Sequence, residues 1–249
     1  MFKKSVYSLL VLCLSLGSLS AQGDLRLGVQ LSPTFSSLGT PNNLINSDGA
    51  NLGVKLGLIA EYYFQENYSI HTGFGFHFNA GGTLNYDEQF TSVDIWRESL
   101  NEALTNPPSS LPGGSSFKYD IQILEVPLGL TLRTREFGYL RYYARPSLHL
   151  GIVTGSKGSL ANSGLIGSDE KFNISEEVNA VNLGWSFGAG VEYAISTDTR
   201  LIGGIGYQGG FADLTKDNDT QVVRTGRQPA EDDSKGTLRG VVITLGIMF

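Results

Sequence analysis

The stretch Val181-Asn182-Leu183-Gly184-Trp185-Ser186-Phe187-Gly188-Ala189-Gly190-Val191-Glu192-Tyr193-Ala194-Ile195 decides the fold class. Odd positions carry Val, Leu, Trp, Phe, Ala, Val, Tyr and Ile, whereas even positions carry Asn, Gly, Ser, Gly, Gly, Glu and Ala. Successive side chains of a strand point to opposite faces, so this is a β-strand with one hydrocarbon face and one small or polar face. A soluble sheet usually turns its bulky apolar residues inward and seldom makes the other face so rich in glycine. A strand whose greasy face meets lipid needs the reverse.

Working outward, the same alternation occurs seven more times. Leu25 to Phe35, Leu52 to Phe64, Tyr68 to Phe78, Leu124 to Leu132, Leu140 to Ile152, Leu201 to Phe211 and Val241 to Phe249 each repeat it. The connections are sorted by length. Gln65–Asn67, Thr134–Gly138 and Ser196–Thr199 are tight turns; Ser36–Ala50, Ala80–Ser116, Gly155–Asn179 and Asp213–Lys235 are long and polar. Short turns on one rim and long loops on the other are expected of an all-β, eight-stranded antiparallel up-and-down transmembrane barrel, with turns in the periplasm and loops outside. Tyr62, Phe64, Tyr68, Tyr193 and Phe249 are expected as the lower aromatic girdle, and Phe35, Phe78 and Phe211 as the upper one.

The N-terminus fits an exported chain. Lys3 and Lys4 precede an apolar run from Val6 to Leu16, and small residues follow at Ser18, Ser20 and Ala21. That layout reads as a cleaved signal over residues 1–21, leaving residues 22–249 as one barrel domain. The only cysteine, Cys13, falls inside the signal, which removes disulfides, thiolate metal sites and cysteine nucleophiles from the mature chain. The formal net charge of −6 gives no support to nucleic-acid binding.

Chemistry, if any, has to come from the inward face or the loops. Inward polar positions include Glu61, Glu125 and Glu192, outnumbered by Arg26, Lys55, Arg133, Arg141, Arg145, Arg200 and Arg239. Residues equidistant from a tight turn face each other across antiparallel strands. This predicts Glu61 opposite His71, Glu125 near Arg145 and Glu192 near Arg200. An eight-stranded barrel has room for side chains only, so the expectation is a structural ion-pair network of Glu61, His71, Glu125, Arg145, Arg141, Glu192 and Arg200 filling a closed lumen. No catalytic, cofactor or metal role is assigned. His71 and His77 are roughly 20 Å apart along one strand and cannot share a metal. Ser147 beside His149 lacks an orienting carboxylate.

Acidic side chains outnumber basic ones in each long connection. Asp217-Asn218-Asp219 could ligate calcium but lacks the glycine and glutamate of an EF-hand loop. Thr91 and Asp94 suggest a capping box, and Val93, Trp96, Leu100 and Leu104 recur at helical spacing, predicting a helix from Ser92 to Thr105 that either caps the mouth or presents Trp96 to a partner.

The segment Leu124-Glu125-Val126-Pro127-Leu128, followed by Gly129-Leu130, resembles the L-E-(I/V)-P-L motif of the PorT-type outer-membrane β-barrel family of Bacteroidota. The runs Gly184 to Tyr193 and Gly53 to Phe64 are similar to corresponding strands of that family; Thr131 and Arg133 stand where the family usually has a lysine. The resemblance implies an outer-membrane barrel, tied in some members to secretion or surface assembly.

The functional expectation is a non-enzymatic scaffold or secretion and envelope accessory acting through its extracellular loops. Its expected partners are outer-membrane lipid, the barrel-assembly machinery through Phe249, and a protein at the loops. A small or substrate-specific pore is the alternative. A lipid hydrolase or protease would need a serine–histidine–acid cluster that the spacing does not assemble.

Overall fold

The computed structural model describes residues 25–163, 170–216, 221–231 and 235–249. The proposed signal and the Asp217–Asp219 triad lie outside these residues. Eight long strands form the wall: β1 Leu25–Gly39, β2 Ile45–Gln65, β3 Tyr68–Tyr86, β4 Ser116–Arg133, β5 Leu140–Ala161, β6 Val181–Ala194, β7 Arg200–Gly210 and β8 Thr237–Met248. Each pairs antiparallel with its sequence neighbour, and β8 closes on β1. The ring is thus an up-and-down barrel with no free edge at its centre. Among the described residues no helix is long and apolar enough to cross a membrane.

Alternation places the outer band as the sequence implies. Leu27, Val29 and Leu31 on β1, Phe74, Phe76 and Phe78 on β3, and Leu124, Val126, Leu128, Leu130 and Leu132 on β4 all lie on the outside. Leu128 is 61% exposed, whereas Glu61 on the inner face is fully buried. A soluble protein would not leave such a belt uncovered; hydrocarbon covers it here. Tyr62, Phe64, Tyr68, Tyr193 and Phe249 are exposed at the short-turn rim, and Phe35, Phe78 and Phe211 at the opposite rim.

The strands run further outward than the sequence suggested. β2 to β5 span 21, 19, 18 and 22 residues, extending into segments expected to be loops. Above the band the facing chemistry inverts. On β4 the inward positions below are Glu125, Thr131 and Arg133, while the inward positions above are Phe117, Tyr119, Ile121 and Ile123, all buried. Neighbouring strands make the change at bulges: β3 is out of step with β4 between His77 and Ala80, where Asn79 has φ 58°, and β5 skips Thr154 between Gln122 and Ile123. A bulge inserts one residue and flips the later side chains to the other face. The lower wall is therefore built for lipid and the upper wall for water.

An apolar core fills the upper wall. It includes Leu38, Leu84, Tyr86, Phe90, Trp96, Phe117, Tyr119, Ile121, Leu160, Ile174 and Leu214. The loops contribute in concert: strand Phe90–Asp94 pairs with strand Gln221–Arg224, and helix α1 Arg97–Ala103 packs near the 3-10 turn Ser175–Glu177. The helix predicted over Ser92 to Thr105 is thus shorter. Thr91 and Asp94 belong to a loop strand rather than a capping box, because pairing of that strand with Gln221–Arg224 takes its backbone into a sheet. Trp96 precedes α1 at φ 60° and is buried. It sits edge-on to Phe117, Tyr119 and Phe172 at 4.9–5.7 Å between centroids, and its Nε1–H donates to the Tyr119 hydroxyl at 3.0 Å. Trp96 is the centre of the cap, not a contact offered to a partner. Gly158 permits this, since a Cβ there would stand 2.4 Å from the Trp96 ring.

Candidate functional site

The lumen carries two polar clusters, one above the other. The outer one is centred on Glu125. Its Oε2 accepts from Lys55 Nζ at 2.6 Å, and its Oε1 accepts from Gln208 Nε2 at 3.1 Å and faces His77 Nδ1 at 3.4 Å. Lys55 also donates to Gln208 Oε1, and His77 Nε2 meets Thr34 Oγ1 at 3.0 Å. A proton on His77 Nδ1 satisfies both contacts, with Thr34 donating to Nε2. β1, β2, β3, β4 and β7 all contribute, so this cluster ties together strands that are not all neighbours.

The inner cluster is centred on Glu61 and Arg133, which pair directly at zero side-chain exposure. Arg145 Nη2 donates to Glu61 Oε1 at 2.6 Å, and Arg133 Nε donates to Glu192 Oε1 at 2.8 Å. Arg133 Nη1 also donates to Ser69 Oγ at 2.7 Å, so the guanidinium is held on three sides. The Tyr63 ring lies between two guanidiniums, with Arg133 at 4.7 Å and Arg26 at 5.1 Å. Buried charges are tolerable only when paired and hydrogen-bonded, and here each carboxylate has a cation.

Glu61 and His71 are register partners, but His71 spends its ring nitrogens on Ser147 Oγ at 2.9 Å and Thr131 Oγ1 at 3.2 Å. Arg200 Nη1 lies 3.7 Å from Glu192. Arg141 reaches down to the turns, 3.0 Å from Glu136 and 3.7 Å from Glu66. The expected Glu125–Arg145 neighbourhood is not what forms: Arg145 turns to Glu61, and Lys55 occupies Glu125. The reason is register: Glu125 pairs with Gly151 and Gly129 with Ser147, which sets Arg145 beside Thr131, six residues below Glu125, where its Nε donates to Thr131 Oγ1 at 3.1 Å. Arg239 is also corrected; it shares the outward parity of Val241, is exposed, and lies over Gly39.

Between the clusters is a cavity of about 120 Å³, lined in part by Lys55, His71, Glu125, Arg145, Ser147 and His149. It offers space for water. Ser147 and His71 make a hydroxyl–imidazole pair, yet the second imidazole nitrogen meets Thr131 rather than a carboxylate, and the pair is enclosed. Among the described residues no cluster of histidine, cysteine and carboxylate side chains could hold a metal.

An eight-stranded ring with a lipid-facing belt, a polar interior and sorted connections is the geometry against which known proteins can be set. The sequence profile described as "Outer membrane protein beta-barrel domain" matches residues 20–216. The chain belongs to this family. Members of the outer membrane protein beta-barrel family reside in the bacterial outer membrane, and that is where this chain lies. Solved structures similar to it include Neisserial surface protein A, at 13% identity over 90% of this chain and 95% of that one, with a TM-score of 0.46. A major outer membrane protein from Thermus thermophilus has 12% identity over 90% and 99%, TM-score 0.43. OprG from Pseudomonas aeruginosa has 11% identity over 91% and 96%, TM-score 0.41. A search of curated proteins gives no significant match.

Sequence reasoning expected the Ser92–Thr105 segment to cap the mouth or present Trp96, and missed the apolar core that the extended strands add to that cap. Its signal was present, because Phe117, Tyr119, Ile121 and Ile123 alternate as regularly as the membrane strands do. Only the bulges that bring Ala80 on β3 and Ser156 on β5 onto that same inner face were not visible.

Proposed function

We propose that this barrel is a non-enzymatic accessory of the outer membrane that uses its rigid outward cap to engage a protein partner, in secretion or envelope organisation. The observation that carries this is the double closure: two ion-paired clusters fill the lumen, and an apolar core roofs it. A pore has no use for a roof of Trp96, Phe117 and Leu160. A hydrolase has no use for a serine enclosed below that roof. What the fold does expose is the cap, whose acidic side chains Asp87, Glu88, Glu98, Glu102 and Glu176 stand outside the apolar core. A fixed, charged surface held beyond the bilayer suits recognition and steering of a cationic partner surface. The PorT-like segment adds weight on the side of secretion or surface assembly, with its Glu125 at the centre of the outer cluster.

Photo-crosslinking tests the reading. A crosslinker at Glu98 or Glu88 in intact cells should capture a discrete protein adduct, absent when it is placed at lipid-facing Leu128. Equal adducts at both positions, or none from the cap, would overturn the proposal.

A further inference from the structure

Two bulges on the strands either side of β4 stand at one height. Asn79 on β3 and Thr154 on β5 flank Gln122 of β4, which lies between them in the sheet. Together they open a recess on the outward face, with a volume of about 440 Å³. Its floor holds Phe78, the last aromatic of the lipid-facing band on β3. Its upper wall holds Asp120, Lys157, Lys171 and Asn173. Lys157 and Asp120 are cross-strand partners, and Asn173 pairs with Lys157 from the other side, so all three share the outward face.

The placement matters more than the composition. The recess begins where hydrocarbon ends, because the next lipid-facing residues toward the periplasm are Leu124 and Ile152, both in the apolar band. It is therefore at the level of the outer-leaflet headgroups. The cap tips are acidic, yet this ledge is basic: Lys157 is exposed with no ion pair among the described residues, and Lys171 lies 2.6 Å from Asp120 Oδ2. Gly155 keeps the recess open, since a Cβ there would meet only the Gln122 amide, at 3.6 Å. Asp120 is anchored through Oδ1, which accepts from Asn51 Nδ2 at 3.1 Å, so the carboxylate holds Lys171 over the recess. Basic ledges beside a bilayer bind anionic headgroups, and bulges re-aim side chains where a sheet has a specific task.

We infer that this recess binds the phosphate of a phosphorylated glycolipid of the outer leaflet, with Lys157, unpaired among the described residues, as one cation, Lys171 shared with Asp120, and Phe78 against the first acyl carbons. The site fixes the height and rotation of the barrel in its leaflet and lies apart from both the lumen and the cap core.

The test uses the full barrel in detergent micelles, titrated with bis-phosphorylated lipid A, with the same lipid after phosphate removal, and with inorganic phosphate. Bound lipid is counted by native mass spectrometry. The phosphorylated lipid should bind, and Lys157→Ala should weaken it about fivefold, the scale of one near-surface lysine. Asp120→Asn, which frees Lys171, should strengthen binding, and Arg227→Ala, in the turn after the loop strand Gln221–Arg224, should leave it unchanged. Heat-modifiable mobility on gels verifies that each variant is folded. Equal binding of the two lipids, or wild-type affinity in Lys157→Ala, overturns the proposal. Saturation by inorganic phosphate at the same concentration as the lipid overturns the lipid assignment.

Discussion

Lys55 on β2 and Glu125 on β4 meet 2.6 Å apart inside the lumen, across the intervening strand β3. Gln208 of β7 bonds both partners from the far wall, so one ion pair braces strands on opposite sides of the ring. On β3, Gly75 is the register partner of Glu125 and His77 that of Lys55, so the strand between them places one inward side chain, His77, in the same cluster.

Breaking this pair from one side should be costly. Glu125→Ala leaves Lys55 buried without its carboxylate, and a loss of about 3–5 kcal/mol is expected for an orphaned buried charge. Replacing both, as Lys55→Met with Glu125→Leu, should cost much less, because no charge is stranded. Urea unfolding of the barrel in lipid vesicles measures both variants. Equal losses for the single and double variants would count against the pair as a structural brace.

The partner assigned to Arg145 is testable by coupling. A double-mutant cycle between Arg145→Met and Glu61→Gln should give an interaction of about 0.5–3 kcal/mol, as groups in direct contact do. The cycle between Arg145→Met and Glu125→Gln should be close to additive. The opposite ordering would restore the neighbourhood that turn geometry alone suggests.

How much was legible in the sequence follows from that contrast. Alternation in Val181 to Ile195 and its seven counterparts specifies the barrel, because period two is a property of each strand alone. The length-sorted connections specify its orientation for the same local reason. Glu125's partner was not legible, since turn geometry orders adjacent strands only and Lys55 reaches past one. Nor was the apolar core of the cap: Phe117 to Ile123 keep the strand period and the inward parity of Glu125, but the bulges that turn β3 and β5 to match them leave no period-two signal. The Ser92–Thr105 helix was half legible, because Val93 obeys helical spacing yet is taken by pairing with Val222.

The cap should unfold separately from the membrane wall. Trp96→Ala removes the ring around which Phe117, Tyr119 and Phe172 pack, and about 3–5 kcal/mol is the usual scale for such a loss. Gly158→Val should act similarly by displacing the same ring. With Trp185→Phe as background, Trp96 fluorescence should be shielded from iodide, and Gly158→Val should expose it. Quenching of Trp96 in the Trp185→Phe protein itself would contradict the buried position.

Acidity should tighten the cap through Glu177. Burial raises its carboxyl above the ordinary value, although its Oε1 accepts the Ser99 backbone N–H at 3.1 Å. A folded-state value above the unfolded one means that the contribution is fully present below the unfolded value. It is lost as pH rises through the folded value. Amide exchange in α1 should therefore be slower, relative to the intrinsic rate, at mildly acidic pH than at neutral pH, and Glu177→Gln should flatten the difference. A difference that persists in Glu177→Gln would assign the effect to another group.

Closure of the lumen is most directly tested by conductance of the purified barrel in a planar bilayer. Two ion-paired clusters beneath an apolar roof predict a baseline without unitary steps, even at high salt. Reproducible steps of nanosiemens size from the folded, monomeric barrel would contradict it.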